Sequence, residues 1–240
     1  MSQQKMEQPH YQQKLPYDLK RANKEVYLVV RFRRESLEKI RTSCCKQIKV
    51  IEGYHGRVLG LSDDVKVYED TASRWPSDRA MMLLQFDTER EAQLWLDSDN
   101  KFKNKDFPNP SDTLEIFRIP TRYIVQQEKD YLTICMEEMA NIKDPRAMNE
   151  DYINPVAKCM DTFGVAHGCC FAPEGATGVR SSYLKKDSLI VLHRLKSKEH
   201  FENLYYSKPL EDLKKKKQTL CDSNVVVFQL NPDLKKSYAS

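Results

Sequence analysis

Glycine is scarce, with seven in 240 residues. Gly53, Gly56 and Gly60 cluster early and Gly164, Gly168, Gly175 and Gly178 late. Neither cluster spells G-x-G-x-x-G or G-x-x-x-x-G-K-[ST], which argues against a fold that cradles phosphates on glycine-rich backbone. No C-x-x-C occurs, so zinc ribbons, zinc fingers and thioredoxin-type sites lose support. H-E-x-x-H and G-x-S-x-G are missing too. No apolar run approaches the ~20 residues that span a bilayer, and the polar N-terminus has no apolar core of a secretory signal. An excess of one charge is also lacking: Lys+Arg is 39 against Asp+Glu 35, a formal net charge of +4. A dedicated nucleic-acid binder carries a more basic face. These absences predict a soluble, intracellular, cytoplasmic protein with no nucleic-acid or membrane partner, no metal site and no cofactor of its own. Seven cysteines, with neighbours at Cys44-Cys45 and Cys169-Cys170, read as reduced core thiols.

What is present is a weak repeat of domain size. Residues 1–24 are polar and Gln-rich and read as a disordered tail. Glu25 to Phe32 is a run of β-branched and aromatic residues, hence a strand. Leu37, Ile40, Cys44 and Ile48 fall on one helix face. Extended stretches follow at Arg57–Leu59 and Val65–Glu69, Pro76 breaks the chain, and Ala80–Phe86 is a strand apolar on both faces. Thr88 with Glu91 forms a capping box for a helix burying Ala92, Trp95 and Leu96, and Leu114–Ile119 closes the unit. The order then returns: a strand at Tyr131–Met136; a helical face of Met148, Tyr152, Val156, Cys159 and Phe163, with Asn154 as a fresh N-cap before Pro155; an extended stretch at Val165–Phe171; the doubly apolar strand Leu189–Leu195; a helix capped by Ser197 that buries Phe201, Leu204 and Tyr205; and the strand Val225–Leu230. Ser98 and Ser207 occupy like points in the two copies.

Each copy reads β-α-β-β-α-β, the ferredoxin-like arrangement, an α+β fold. Helices cover one face of such a sheet. Strands apolar on both faces require that the other face be buried as well. The expectation is two ferredoxin-like units in one chain, 25–120 and 131–232, joined by a linker at 121–130 and followed by a C-terminal tail at 233–240. Their sheets pack face to face as an intramolecular α+β barrel, either as a monomer with an internal pseudo-dimer or as a homodimer.

The ordered set Tyr54-His55-Gly56-Arg57-Val58-Leu59, Val67-Tyr68-Glu69, Trp75-Pro76 with Arg79, and Glu91-Ala92 with Trp95 and Asp97-Ser98 resembles a domain-of-unknown-function family. That family lies in the dimeric α+β barrel superfamily, the antibiotic-monooxygenase-like group. The resemblance covers about 25–120 well and 130–232 more loosely, through Tyr152, Phe163-Gly164, Tyr205-Tyr206-Ser207 and Ser223-Asn224-Val225. This chain has one glycine after His55 where the family has two, Asp70 where it has glycine, and no Glu–Trp–Arg counterpart between Gly164 and Leu189. The resemblance implies the barrel fold. Superfamily members include cofactor-independent monooxygenases, haem-degrading enzymes, isomerases and proteins with no known activity.

His55, Arg57, Glu69, Trp75 and Arg79 are the candidate lining of a ligand pocket, since a carboxylate near two guanidinium groups fixes a polar ligand by forked hydrogen bonds. A histidine there suits general base work near neutral pH. The competing reading pairs Glu69 with Arg79 across strands. His193 lies in a buried-looking strand and either faces the barrel interior or bonds within the core. His55, His167 and His193 would be candidate axial ligands of a bound haem; His167, Cys169, Cys170 and His193 lack any metal-ligand spacing. Lys214–Lys217 reads as a solvated helix end, the alternative being a nuclear-import or acidic-partner patch. Two functions follow: a small-molecule-binding barrel with a polar-aromatic or acidic ligand, any catalysis being cofactor-independent in the first-half pocket, or a non-catalytic stress-associated or protein-interaction scaffold with a side-chain-filled barrel. An open cavity lined by Arg57, Glu69 and Arg79 favours the first; a barrel packed solid by Met81 and Leu83 favours the second.

Overall fold

The structure, a computed structural model, describes residues 25–71, 78–98, 114–120, 131–163, 177–180 and 189–234. The expected tail at 1–24, Trp75 and Pro76, the linker at 121–130, and Val165–Phe171 with His167, Cys169 and Cys170 lie outside the described residues.

Nine strands are described: β1 (Val26–Arg33), β2 (Gly56–Ser62), β3 (Val65–Asp70), β4 (Arg79–Phe86), β5 (Leu114–Pro120), β6 (Thr133–Ala140), β7 (Thr177–Arg180), β8 (Leu189–Leu195) and β9 (Asp222–Gln229). They form two antiparallel sheets, ordered β2-β4-β1-β5-β7 and β3-β9-β6-β8. The helices are α1 (Leu37–Gly53), α2 (Glu89–Asp97), α3 (Pro145–Ala147), α4 (Asn154–Thr162), α5 (Lys198–Tyr205) and α6 (Lys208–Leu220), with a π segment, Met148–Ile153, between α3 and α4. The strand run at 65–69 forms as expected, but it leaves the sheet of its own half. β3 pairs with β9, Val65 opposite Phe228 and Asp70 opposite Asn224. In return β7 pairs with β5 of the first sheet.

Three apolar layers result. Val26, Leu28, Val30 and Phe32 of β1 meet Leu37, Ile40, Cys44 and Ile51 of α1 and Trp95 of α2. The alternate β1 residues Tyr27 and Val29, with Met81, Leu83, Phe117 and Ile119, pack against Ile134, Met136, Ile190, Leu192, Val226 and Phe228 of the second sheet. Period-two alternation explains how one strand feeds both layers. The third layer joins Cys135, Met139, Val191 and Val227 to Met148, Tyr152, Phe201 and Leu204 of the second helical side. The sheets therefore face one another, and Met81 and Leu83 are 0 and 1% exposed between them.

Local chemistry sets most element ends. Thr88 and Ser197 accept from the backbone N–H three residues on, Glu91 and His200, as N-caps. The second helical stretch departs from expectation. Asn154 does not cap a new helix: its φ of −63° and ψ of −45° are helical and its N–H bonds back to Asn149. The i→i+5 ladder of a π segment spaces its hydrogen bonds differently from the α ladder, and Pro155, which has no N–H to offer, follows directly. Leu234, assigned by sequence to the C-terminal tail, is buried in the first-half core, and its carbonyl accepts from Arg41 Nη1 at 2.9 Å.

At Gly60 a β-bulge interrupts β2. Its neighbour Leu61 exchanges backbone bonds of 3.1 and 2.7 Å with Asn231, just past β9. Gly60 has φ +154°, and a Cβ there would meet the Asn231 carbonyl oxygen at 2.7 Å. Gly53, at the end of α1, has nothing within 4 Å. Gly60→Ala is expected to lower stability by more than ~1 kcal/mol, while Gly53→Ala raises it by about 0.5 kcal/mol. Urea midpoints of the two variants check the contrast.

Candidate functional site

The densest polar cluster lies between the second sheet and its helices, around a lysine that is 1% exposed. Helix α6 places Leu210, Leu213, Lys217 and Leu220 along one stripe by their three- and four-residue spacing, and Leu210, Leu213 and Leu220 pack into the apolar layer there. Lys217 Nζ stands 2.7 Å from Glu69 Oε2 on β3 and 2.5 Å from Glu137 Oε1 on β6. Tyr152 donates to Glu137 at 2.7 Å. Tyr205 of α5 donates to Glu69 at 2.9 Å, and Ser223 of β9 donates to its other oxygen at 2.7 Å.

The electrostatics fix the protonation states. Burial alone pushes the Glu69 carboxyl up, but the Lys217 charge and the bonds from Lys217, Ser223 and Tyr205 hold it below its ordinary value. Burial works against the Lys217 ammonium, yet Glu137 and Glu69 together keep it charged, with its pKa raised. Tyr152 and Cys135 are pushed up by burial and by Glu137. Cys221 is pushed up to about 12, first by burial. A charged lysine, an ionised carboxylate, protonated phenols and protonated thiols supply neither a nucleophile nor a free base at neutral pH. Chemically this is a fastening, and it ties β3, which follows β2 of the first sheet, to three elements of the second half.

The structure does not gather the sequence-derived pocket residues into one site. Glu69 bonds to Lys217, not to Arg79. Arg79 Nε lies 3.8 Å from Asp78. Arg57 sits opposite Gln85 and Arg33 opposite Arg79, so Arg57 and Arg79 mark opposite ends of β4, about 20 Å apart at ~3.4 Å per residue. His55, in a left-handed conformation with φ 54°, has a side chain 68% exposed and 4.0 Å from Glu91. His193 is buried opposite Cys135, on the helix-facing side of the second sheet and not in the inter-sheet layer. The basic run is only partly a solvated helix end, because Lys217 points inward while Lys215 and Lys216 are exposed.

Two further arrangements lie on the inter-sheet face of the first sheet. Arg31, buried, pairs with Glu115 opposite it on β5 and lies over the Phe117 ring at 5.6 Å. At the other strand end Arg57 Nε and Nη2 donate to Gln85 Oε1 at 3.0 and 2.8 Å, and the Gln85 amide donates to Glu25. Gln85 is buried and Arg57 exposed. Sequence reasoning missed Lys217, Glu137, Arg31 and Gln85; for Lys217 the apolar stripe 210-213-217-220 carried a usable signal. Among the described residues no group of three His, Cys, Asp or Glu is arranged to hold a metal ion, and no helix is long and apolar enough to cross a membrane.

No protein-family model matches the chain, and no curated protein matches it. Solved structures do. A provisionally named monooxygenase from Fusobacterium nucleatum subsp. nucleatum superposes with a TM-score of 0.51 at 10% identity, over 86% of this chain and 92% of its own. A chlorite dismutase mutant from Candidatus Nitrospira defluvii gives 0.51 at 9% identity, over 88 and 92%. An anthrone oxidase-like protein gives 0.50 at 10% identity, over 90 and 97%. The chain shares the α+β barrel fold of these proteins, and at such identity the likeness extends to fold alone.

Replacing Lys217 by Met leaves two buried carboxylates facing one another without a counter-charge. The expected loss is about 3–5 kcal/mol, read as a lower urea midpoint at pH 7. Adding Glu69→Gln and Glu137→Gln to that variant is expected to recover part of it.

Proposed function

We propose that the chain is a barrel of two βαββαβ units, residues 25–120 and 131–232, whose halves take the place of two subunits, and that it binds a small acidic molecule at one end of the first sheet. The strand orders support the two-unit reading. With β1, β4, β5 and β3 matched to β6, β8, β9 and β7, the first sheet runs β2-β4-β1-β5-β7 and the second β8-β6-β9-β3, so the orders agree over four strands and β2 has no match among the described strands. Each half lends one strand to the other.

The observation that carries the ligand reading is the relay Glu25–Gln85–Arg57. A buried amide, itself held by a carboxylate, orients an exposed guanidinium before any ligand arrives. Such preorganisation reduces the ordering cost of binding, and the guanidinium plane matches a carboxylate or phosphate. His55 stands at the same strand end, adjoining Gly56, which is opposite Phe86. A ligand reaches the relay from the end because the middle of the inter-sheet layer is filled by Met81, Leu83, Phe117, Met136 and Phe228. That filling favours a second reading, an interaction scaffold whose barrel serves only as support.

Native mass spectrometry of gently purified chain is expected to show a stoichiometric acidic adduct that Arg57→Ala loses. Benzoate and inorganic phosphate are expected to raise the Tm of the wild type and to leave that of Arg57→Ala unchanged. A clean apo mass, with no shift from either probe, sinks the ligand reading and leaves the scaffold.

A further inference from the structure

We infer that β3 is an acid-releasable strap: protonation of Glu69 and Glu202 undocks Val65–Asp70 from β9 while the remaining strands of both sheets stay paired.

Three observations converge on this segment. First, β3 is the least buried of the strands whose burial is described, with none of its six residues in the buried class, and among the described strands its one sheet neighbour is β9. A bulge between Val67 and Glu69 interrupts even that ladder. An exposed edge strand with one interrupted ladder belongs to the low-stability end of a fold. Second, its side-chain fastenings run through carboxylates in both directions. Glu69 of β3 reaches into the second half to Lys217, Tyr205 and Ser223. Glu202 of α5 reaches back to Lys66 at 2.7 Å and to the Tyr68 hydroxyl at 2.6 Å. Third, the apolar contacts of β3 are partial: Val65 packs half-buried against the inter-sheet layer, and Tyr68 meets Phe201 and Tyr205 edge-on, with centroids 4.8 and 5.2 Å apart.

The groups facing these carboxylates are mostly cations and hydroxyl donors, which favour the charged form, while burial and the neighbouring Glu137 carboxylate oppose it. Glu69 sees Lys217 and Lys214 of α6, Tyr205 of α5, Glu137 and Cys135 of β6, Tyr152 of the π segment and Cys221 beside β9. Glu202 sees Lys66 and Tyr68 of β3 and Lys198 of its own helix, and its carboxyl is held below its ordinary value first by the Lys66 bond and then by Tyr68. Glu69 is likewise depressed. A carboxyl with a depressed folded-state value contributes its stabilisation fully above the unfolded value of about 4.3 and loses it as pH falls through the folded value. Both fastenings therefore fail in the same direction, below about pH 4. Lys217 stays charged as the pH falls and cannot replace the carboxylate charge that β3 loses.

Residue-resolved hydrogen exchange on the full chain, stepped from pH 7 to 2.5 and corrected for intrinsic rates, tests the strap. The β3 amides are expected to lose at least 100-fold protection below pH 4 while β1 and β6 amides keep theirs. Glu69→Gln with Glu202→Gln is expected to release β3 at pH 7, with β1 protection as the check that the variant is folded. Unchanged β3 protection, or loss in step with β1 and β6, overturns the inference. If the variant does not fold, the wild-type pH series decides alone.

Discussion

A single ammonium buried between two carboxylates organises the second half of this molecule. Lys217 comes from α6, Glu137 from β6 and Glu69 from β3, so one side chain fixes a helix, a central strand and an edge strand that arrives from the other half. Such a group cannot be left unpaired in a low-dielectric layer. Its satisfaction therefore dictates where β3 must lie, and with it the crossing of the chain from one sheet to the other between Ser62 and Val65. Tyr152, Tyr205 and Ser223 complete the shell, and buried polar networks stabilise only when so completed.

The two sheets solve the same problem by different chemistry. In the middle of the strands the inter-sheet layer is apolar, and its strength is simple burial. Towards the strand ends polar pairs take over. Arg31 with Glu115 and Glu138 with Asn224 occupy matching register positions on β1–β5 and β6–β9. The matched positions keep a polar cross-strand pair while the residue types change. Arg57 and Gln85 form a third such end, the one that faces solvent. The polar pairs thus stand towards the strand ends and the apolar residues fill the middle.

Most of the fold was legible in the residues. Strand β1, the helical face of Leu37, Ile40 and Cys44, the Thr88 and Ser197 caps and the doubly buried strands β4 and β8 all form as their patterns require. Hydrophobic period and side-chain capping are local, and local chemistry is what a sequence displays. The partner of β3 was not legible, because alternation in Val65–Asp70 specifies a strand but not the strand it pairs with. Nor was the π segment before Pro155, since a helical stripe survives one inserted residue with little trace. The site fared worse for the same reason. Glu69, Arg57 and Arg79 carry complementary charges within a short stretch of sequence, yet the crossover pairs Glu69 with β9 and the length of β4 separates the two arginines. Lys217 was hidden inside a run of four lysines, of which Lys215 and Lys216 are exposed while Lys214 is half-buried and donates to the Tyr205 carbonyl.

The pairing of β3 with β9 has a cost in time. Asp70 lies opposite Asn224, so β3 leaves the ribosome some 150 residues before its neighbour exists, roughly 8–30 s at 5–20 residues per second. During that interval β1, β2, β4 and β5 already have one another, but β3 has no sheet to join and Glu69 no lysine to meet. The nascent chain must carry Val65, Val67 and Tyr68 as an open segment until α6 and β9 are made, which makes their arrival the step that completes the second sheet.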